Sequence, residues 1–394
     1  VAPPGDYFVP ESRIPADYLN DLFQKSLQGS VNAKVELVSI IQYVGQAPFQ
    51  NFRTAVAITG GANSLLWSPY EGHWYSLGST DNVRRSNDQG TTWSAASEVS
   101  GGTPRNVAKG AVSPSEIVAL TLGSRDVYRK SGGSWTKHVN ALAVAPTNLT
   151  TPRIVYDADS SLFIAAYHNG GTIAIETSPT GVTWTPRSLP GAWAAGHSRH
   201  GIVTHGGRTV LVARKDATTT ESSVATSDDG GLTWTARTDL THVDIPNTGA
   251  AAVYLDENTY LDVLGGGAEG FMYTAADTVV GGGEVLLSTD GGETFTSKLT
   301  YGTGRVLVNP LPFGAAWVAM TGTPAGLFAL QFTSEARLLY SLTEGATWLD
   351  SGYDVPSTGL QCLVPCEGGF ALYTNVGGAR MGFRFGAAGR EVIA

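Results

Sequence analysis

An all-β chain built from repeated four-stranded units is the fold class this sequence predicts, and three observations predict it. Only 15% of the 394 residues are charged, while glycine alone contributes 49. Short strands joined by tight turns produce such a composition, whereas long helices bring more Glu, Lys, Ala and Leu. One octapeptide, Ser/Thr-x-Asp-x-Gly-x-Thr-Trp/Phe, recurs along the chain. Its closing aromatics, Trp93, Trp135, Trp184, Trp234, Phe295 and Trp348, follow one another at intervals of 42 to 61 residues. That is about the length of one four-stranded unit.

The octapeptide is clear at Ser86–Trp93, Ser227–Trp234 and Ser288–Phe295, weaker at Thr177–Trp184 and Ser341–Trp348, and degenerate at Ser131–Trp135. Its residue types suit a tight hairpin. The Asp carboxylate accepts hydrogen bonds from its own loop. The Gly supplies a left-handed conformation that other residues resist. The aromatic tucks beneath the hairpin against the neighbouring unit. Asp88, Asp229 and Asp290 are therefore turn-formers, not catalytic acids. In these residues the chain resembles the Asp-box (BNR-repeat) superfamily, which includes sialidases, sortilin-type receptors, some endoglucanases and photosystem-assembly propellers. The resemblance covers roughly residues 60 to 394 and implies a β-propeller. It implies little about activity, since one fold hosts many functions.

Aligning on the octapeptide gives the four strands of each blade. The fourth blade reads Gly201–Thr204, Thr209–Ala213, Ser222–Thr226 and Thr233–Arg237, with β-branched residues in the runs and turn residues between them. Others open at Leu65-Leu66-Trp67 and at Arg153–Tyr156. The fifth blade carries a Gly-rich insertion at Gly265–Gly283, which accounts for its longer interval. A last blade without an octapeptide follows Trp348, with strands at Leu360–Val364, Phe370–Tyr373, Met381–Phe385 and Glu391–Ile393. The count is seven blades, with six as the alternative. Arg53–Ile58 is left over, free to add a strand to the last blade and clasp the ring shut.

The propeller thus spans residues 53–394. Residues 1–52 stand apart as an attachment or oligomerisation segment, or as packing against the ring's side. Within them Pro15–Leu27 has apolar residues at helical spacing, and Val35–Val44 reads as a strand.

Four inner strands open near an arginine: Arg105, Arg153, Arg199 and Arg305. Chain direction alternates within a blade, so these openings lie on the face opposite the octapeptides, around one mouth of the ring. Planar guanidinium groups there suit a carboxylate or phosphate. The bland alternative is that each pairs with a nearby carboxylate and lines a wet channel. The sialidase resemblance implies three arginines, a Tyr/Glu nucleophile pair and an Asp acid/base. Arg13-Ile14-Pro15 matches the family's first arginine motif but precedes a helical stretch, so it reads as coincidence. Arg153 occupies that arginine's blade position, although Val155 replaces the proline.

Asp157, Glu221, Asp244 and Glu269 are carboxylates with no distinguishing context, so no catalytic residue is assigned. His197, His200 and His205 surround Arg199, but no Cys or carboxylate completes a metal set, and local hydrogen bonding is preferred. Cys362 and Cys366 are too few for a disulfide framework, and in one extended strand they lie roughly 13 Å apart. No phosphate loop or nucleotide fingerprint is present, so no cofactor is expected.

The net charge of −9 argues against non-specific binding to nucleic acid or an anionic membrane. No run approaches the ~20 apolar residues of a membrane span. The expected function is a non-catalytic binding or structural propeller held in a larger assembly through residues 1–52, with a glycan or anionic ligand at the mouth. Low charge and abundant Gly, Ser and Thr resemble phage tail and adsorption proteins, which implies a virion location, or else an extracellular one. A sialidase-type glycoside hydrolase and an assembly factor gripping a protein are the alternatives.

Overall fold

The structure is a computed structural model that describes the strand 56–58, most of residues 64–241 and the strands between 261 and 384, with side chains as far as Phe295. The helix and strand expected in residues 1–52 lie outside the described residues.

Among the described residues the strands pair into seven antiparallel sheets. Their first strands are Ser64–Ser68, Val107–Val112, Arg153–Asp157, His197–His205, Leu261–Val263, Ala316–Thr323 and Leu360–Cys366. Sheets are numbered here in that order. The following strands pair in chain order, so each sheet is a meander. Sheet four runs His197–His205, Arg208–Lys215, Glu221–Ser227 and Thr235–Ala236, much as its alternating pattern predicts, and Leu240–Thr241 adds a short further pairing to Glu221–Ser222.

Each first strand packs beside the first strand of the next sheet. Leu360–Cys366 packs beside both Ala316–Thr323 and Ser64–Ser68, which closes the ring and makes the first strands its inner wall. The outermost strand of sheet seven is Val56–Ile58, paired antiparallel with Ala379–Arg384. The leftover N-terminal run therefore fills the place that the sequence reading gave to Glu391–Ile393, a segment outside the described residues. The Gly-rich stretch Gly265–Gly283 is also not a plain insertion. It holds the second strand of sheet five, Phe271–Ala276, and the long interval falls instead between Leu240–Thr241 and Leu261–Val263. In sheet seven, Pro365 pairs with Phe370 inside an extended strand, so no turn brings Cys362 and Cys366 together.

The core lies between sheets. Sheets two and three share Val118, Leu120 and Val127 on one side and Phe163, Tyr167 and Trp184 on the other. Sheets three and four meet through Ile164, Ile175, Ile202 and Leu211. Burying each such side chain contributes about 1.5–3 kcal/mol, so the ring is held mainly by its inter-sheet seams.

The octapeptide geometry explains its composition. In sheet four the Ser227 hydroxyl donates to Asp229 (2.8 Å) and accepts the Gly231 amide (2.8 Å). Asp229 accepts the Thr233 amide (2.9 Å) and hydroxyl (2.6 Å), and the Trp234 indole donates to the Gly231 carbonyl (3.0 Å). The same pattern holds at Ser86–Trp93 and, for the serine, aspartate and threonine, at Ser288–Phe295. In the weak copy the serine role passes to Ser178, one residue closer to Gly181, and Pro179 and Thr180 replace the acid. The degenerate copy is a two-residue Gly132-Gly133 hairpin with Ser131 opposite Ser134. Without the glycine carbonyl of a full loop, the buried Trp135 indole N–H has no hydrogen-bond partner among the described residues.

The octapeptides also dock the sheets. A Cβ on Gly181 or Gly292 would collide with Val118 or Val210, and one on Gly231 would crowd Ile164 at 3.0 Å. Each of these is the third residue of the second strand of the preceding sheet. Glycine is thus required twice over, for its left-handed φ of 69°, 80° and 83°, and for the close approach.

Candidate functional site at the mouth of the ring

In a four-stranded meander the first strand starts on the face opposite the turn between the third and fourth strands. The structure therefore puts the openings of the inner strands on one face and the octapeptides on the other. Arg153 is the first residue of its inner strand, opposite Ala166 in the ladder. Arg199 is the third residue of the neighbouring inner strand, inside a register shift between His197 and His200. The two strands that carry them pack beside each other. Arg105 lies two residues before Val107–Val112, and both it and Arg305 are outside the described residues.

Arg153 is half-buried, and its charge acts on His200, which is only 1% exposed. The His200 ring nitrogen Nε2 lies 3.0 Å from the Ala166 carbonyl of sheet three. A carbonyl only accepts, so Nε2 carries the proton and Nδ1 is left as a lone pair. That nitrogen is buried with no partner among the described residues. Burial, followed by the charges of Arg153 and His168, pushes the imidazole down to about 4 despite the Ala166 hydrogen bond. His200 is neutral at physiological pH. His200 is hydrogen-bonded, but not locally as expected: its partner belongs to the adjoining sheet.

Among the described residues two hydrogen-bonded Tyr–Glu pairs occur, and both are set in seams between sheets. Tyr167 donates to Glu176, whose oxygens also accept the Ala143 amide at 3.0 and 3.1 Å. Tyr75 donates to Glu71 at 2.5 Å. Both tyrosines are 0% exposed. Burial first, and then the adjacent carboxylate, drives each phenol well above its ordinary range. Glu176 instead ties Ala143, on the connection between sheets two and three, to the wall of sheet three.

Of the candidate carboxylates, Asp157 is 2% exposed at the octapeptide end of its strand. It accepts from the Ser160 hydroxyl (2.5 Å) and the Thr204 hydroxyl (3.3 Å). Glu221 opens the third strand of sheet four, while Asp244 and Glu269 lie outside the described residues. The octapeptide acids are committed to their loops. Hydrogen bonds from Thr92, then Ser86, hold Asp88 down to about 2. At Asp229 and Asp290 partial burial pushes upward, but hydrogen bonds from threonine and serine outweigh it and hold both below the usual carboxylate range.

The cross-sheet pairs that sequence reasoning missed include His200 with Ala166, Glu176 with Ala143, and Lys130 with Glu71. The last joins a lysine of sheet two, 5% exposed, to the first hairpin of sheet one. The partners are far apart in the chain, and only the inter-sheet register reveals them. The nearest signal was the clustering of histidines around Arg199.

No protein-family model matches the chain, and no curated protein matches it in sequence. Solved structures do. The β-propeller domain of Cps50 (Swd1) from Myceliophteria thermophila superposes with a TM-score of 0.54 at 10% identity, covering 84% of this chain and 99% of that one. The fold is a β-propeller. A GH74 xyloglucanase from Xanthomonas campestris gives a TM-score of 0.54 at 15% identity over 83% of this chain. This chain spans 54% of the xyloglucanase's length. YCF48 bound to D1 peptide gives 0.53 at 15% identity, covering 84% and 96%. At such identities the likeness extends to the fold alone, and the propeller class expected from the sequence is borne out.

Proposed function

We propose that this propeller is a non-catalytic binding module, anchored in a larger assembly through residues 1–52, that takes an anionic group of a glycan or partner protein at its mouth. The observation that carries the reading is the placement of Arg153 and Arg199 at the openings of neighbouring inner strands, opposite the octapeptides. The repeat pattern of the sequence suggests Arg105 and Arg305, outside the described residues, as further members of the proposed rim. Guanidinium groups offer fixed donors for carboxylate or phosphate and keep their charge at any physiological pH. The compositional resemblance to tail and adsorption proteins makes a virion the proposed location. The Asp-box affiliation rests on the octapeptide hydrogen bonding.

A hydrolase would need two carboxyl groups flanking a substrate bond. Asp88, Asp229 and Asp290 are engaged in their turns, and Asp157 and Glu176 in seams between sheets, which supports the non-catalytic reading. YCF48 was captured with a peptide, a mode that a protein-gripping propeller would share.

The test uses the full chain and an Arg153→Ala/Arg199→Ala variant. Both are applied to a glycan array that includes sialylated and other acidic glycans, and assayed for hydrolysis of sialosides and xyloglucan. Binding of acidic glycans by the wild type, lost in the variant without any hydrolysis, is the expected result. Turnover abolished in the variant would replace the proposal with a glycoside hydrolase. Unchanged binding would remove these arginines from the site.

A further inference from the structure

We infer that His200 is an acid-sensitive latch between sheets three and four, holding the start of the strand that carries Arg153. The inference does not depend on what Arg153 binds. Its basis is the placement of one hydrogen bond. The His200 ring crosses the seam to the carbonyl of Ala166, and Ala166 is the residue opposite Arg153 in the ladder. Ile202 and Ala213 of sheet four and Ile164 and Ile173 of sheet three pack the same seam. The ring therefore stands in a largely apolar stretch of the seam, and a second polar tie, from the Thr204 hydroxyl to Asp157, crosses it nearer the octapeptides.

In the neutral state this tie costs little. Nε2–H has its acceptor, and Nδ1 presents only an unpaired lone pair. Protonation changes both terms. It adds a buried positive charge beside Arg153 and turns Nδ1 into a donor with no acceptor among the described residues. Among the described residues no compensating carboxylate acts on the ring; the charges that do are Arg153 and His168, from the two strands of sheet three packed against it.

Among the described side chains, the other ionisable residues of the neighbouring strands do not supply one. Asp157, at the far end of the Arg153 strand, is held by Ser160 and Thr204. Glu176 is bonded to Tyr167 and Ala143 in the opposite seam. Arg208 is engaged with Asp228 and Glu293 on the octapeptide face. On its own strand the ionisable neighbours are His197, Arg199 and His205, and the second strand of sheet four adds Arg214 and Lys215, all basic; the third strand of that sheet opens with Glu221. Sheet five contributes Asp262 from Leu261–Val263.

The direction of the effect follows from linkage. An unfolded histidine titrates near 6.5, whereas the folded ring is pushed down to about 4. The unfolded chain thus binds more protons between those values, and the latch stabilises the ring fully only above about pH 6.5. As the pH falls from there toward about 4, the ratio of folded to unfolded chain drops by up to tenfold per pH unit on account of this one group.

The experiment compares the full-length wild type with His200→Gln, whose amide can still donate to Ala166 without gaining a charge. Amide hydrogen exchange in 153–157 and 162–169 is followed from pH 7 to 5, corrected for intrinsic rates. Protection that falls with pH in the wild type and stays level in His200→Gln is expected. Equal pH dependence in the two proteins overturns the latch. Nitrogen-15 NMR of the wild-type imidazole keeps the inference testable even if the variant does not fold. A neutral Nε2–H ring at pH 6 supports it, and a ring titrating near 6.5 refutes it.

Discussion

Val56 pairs with Gly382, so a strand from the N-terminal region completes the sheet built by the C-terminal one. A closed ring of sheets has one seam that the chain must join from its two ends. Here the join is made by backbone hydrogen bonds along Val56–Ile58 and Ala379–Arg384. It also covers an edge that would otherwise be open to pairing with another chain.

The closure predicts that proline at Ala57, opposite Met381, weakens the whole ring. It restricts φ and removes a backbone donor from a three-residue strand. A loss of about 1–3 kcal/mol is expected, read as a lower urea midpoint and as new exchange of amides in 379–384. An unchanged midpoint would mean that the strand is dispensable for closure.

Glycine substitutions should separate conformational strain from crowding. Gly132 and Gly292 both have positive φ, 68° and 83°. A Cβ at Gly132 meets open space, whereas one at Gly292 would lie 2.7 Å from the Val210 side chain. Gly132→Ala should cost about 1–2 kcal/mol, the left-handed penalty alone. Gly292→Ala should cost about 1–3 kcal/mol more through overpacking. Chemical denaturation of the two variants measures the difference, and equal costs would contradict the docking of the octapeptide on the preceding sheet.

Lys130 and Glu71 should behave as a coupled pair. Nζ of Lys130 donates to Glu71 and to the Gly132 carbonyl (2.6 Å) and lies 5.8 Å from the Tyr75 ring centroid. Burial pushes the Glu71 carboxyl up, but hydrogen bonds from Lys130 and Tyr75 outweigh it and hold the group below its ordinary value. Its contribution is therefore present above the usual carboxylate range and is lost as the pH falls through the folded pKa. Glu71→Gln strands a buried ammonium and should cost about 1–3 kcal/mol, discounted because Glu71 is itself 30% exposed. Adding Lys130→Met should recover most of that loss. A double-mutant cycle with no coupling would dissolve the pair.

The fourth sheet was legible because its strands alternate and its turns are marked by Gly and Asp. The octapeptide hairpins were legible because each carries its own hydrogen-bond partners within a few residues. The fifth sheet was misread because Gly265–Gly283 is rich in glycine, a poor strand former, yet contains the strand Phe271–Ala276. Pairing on both sides overrides a weak local preference. The last sheet needed its fourth strand from the other end of the chain, and local pattern cannot choose between two short apolar runs.

By itself, then, the sequence determined the repeat, the hairpins and the side of the ring on which the inner strands open. All three follow from local chemistry and from the alternation of direction in a meander. The tertiary structure alone decided what crosses the seams: His200 on Ala166, Lys130 on Glu71 and Val210 against Gly292. Those contacts depend on how far each sheet is displaced and rotated against the next. Close packing of whole side-chain layers sets that displacement, and no single stretch of chain encodes it.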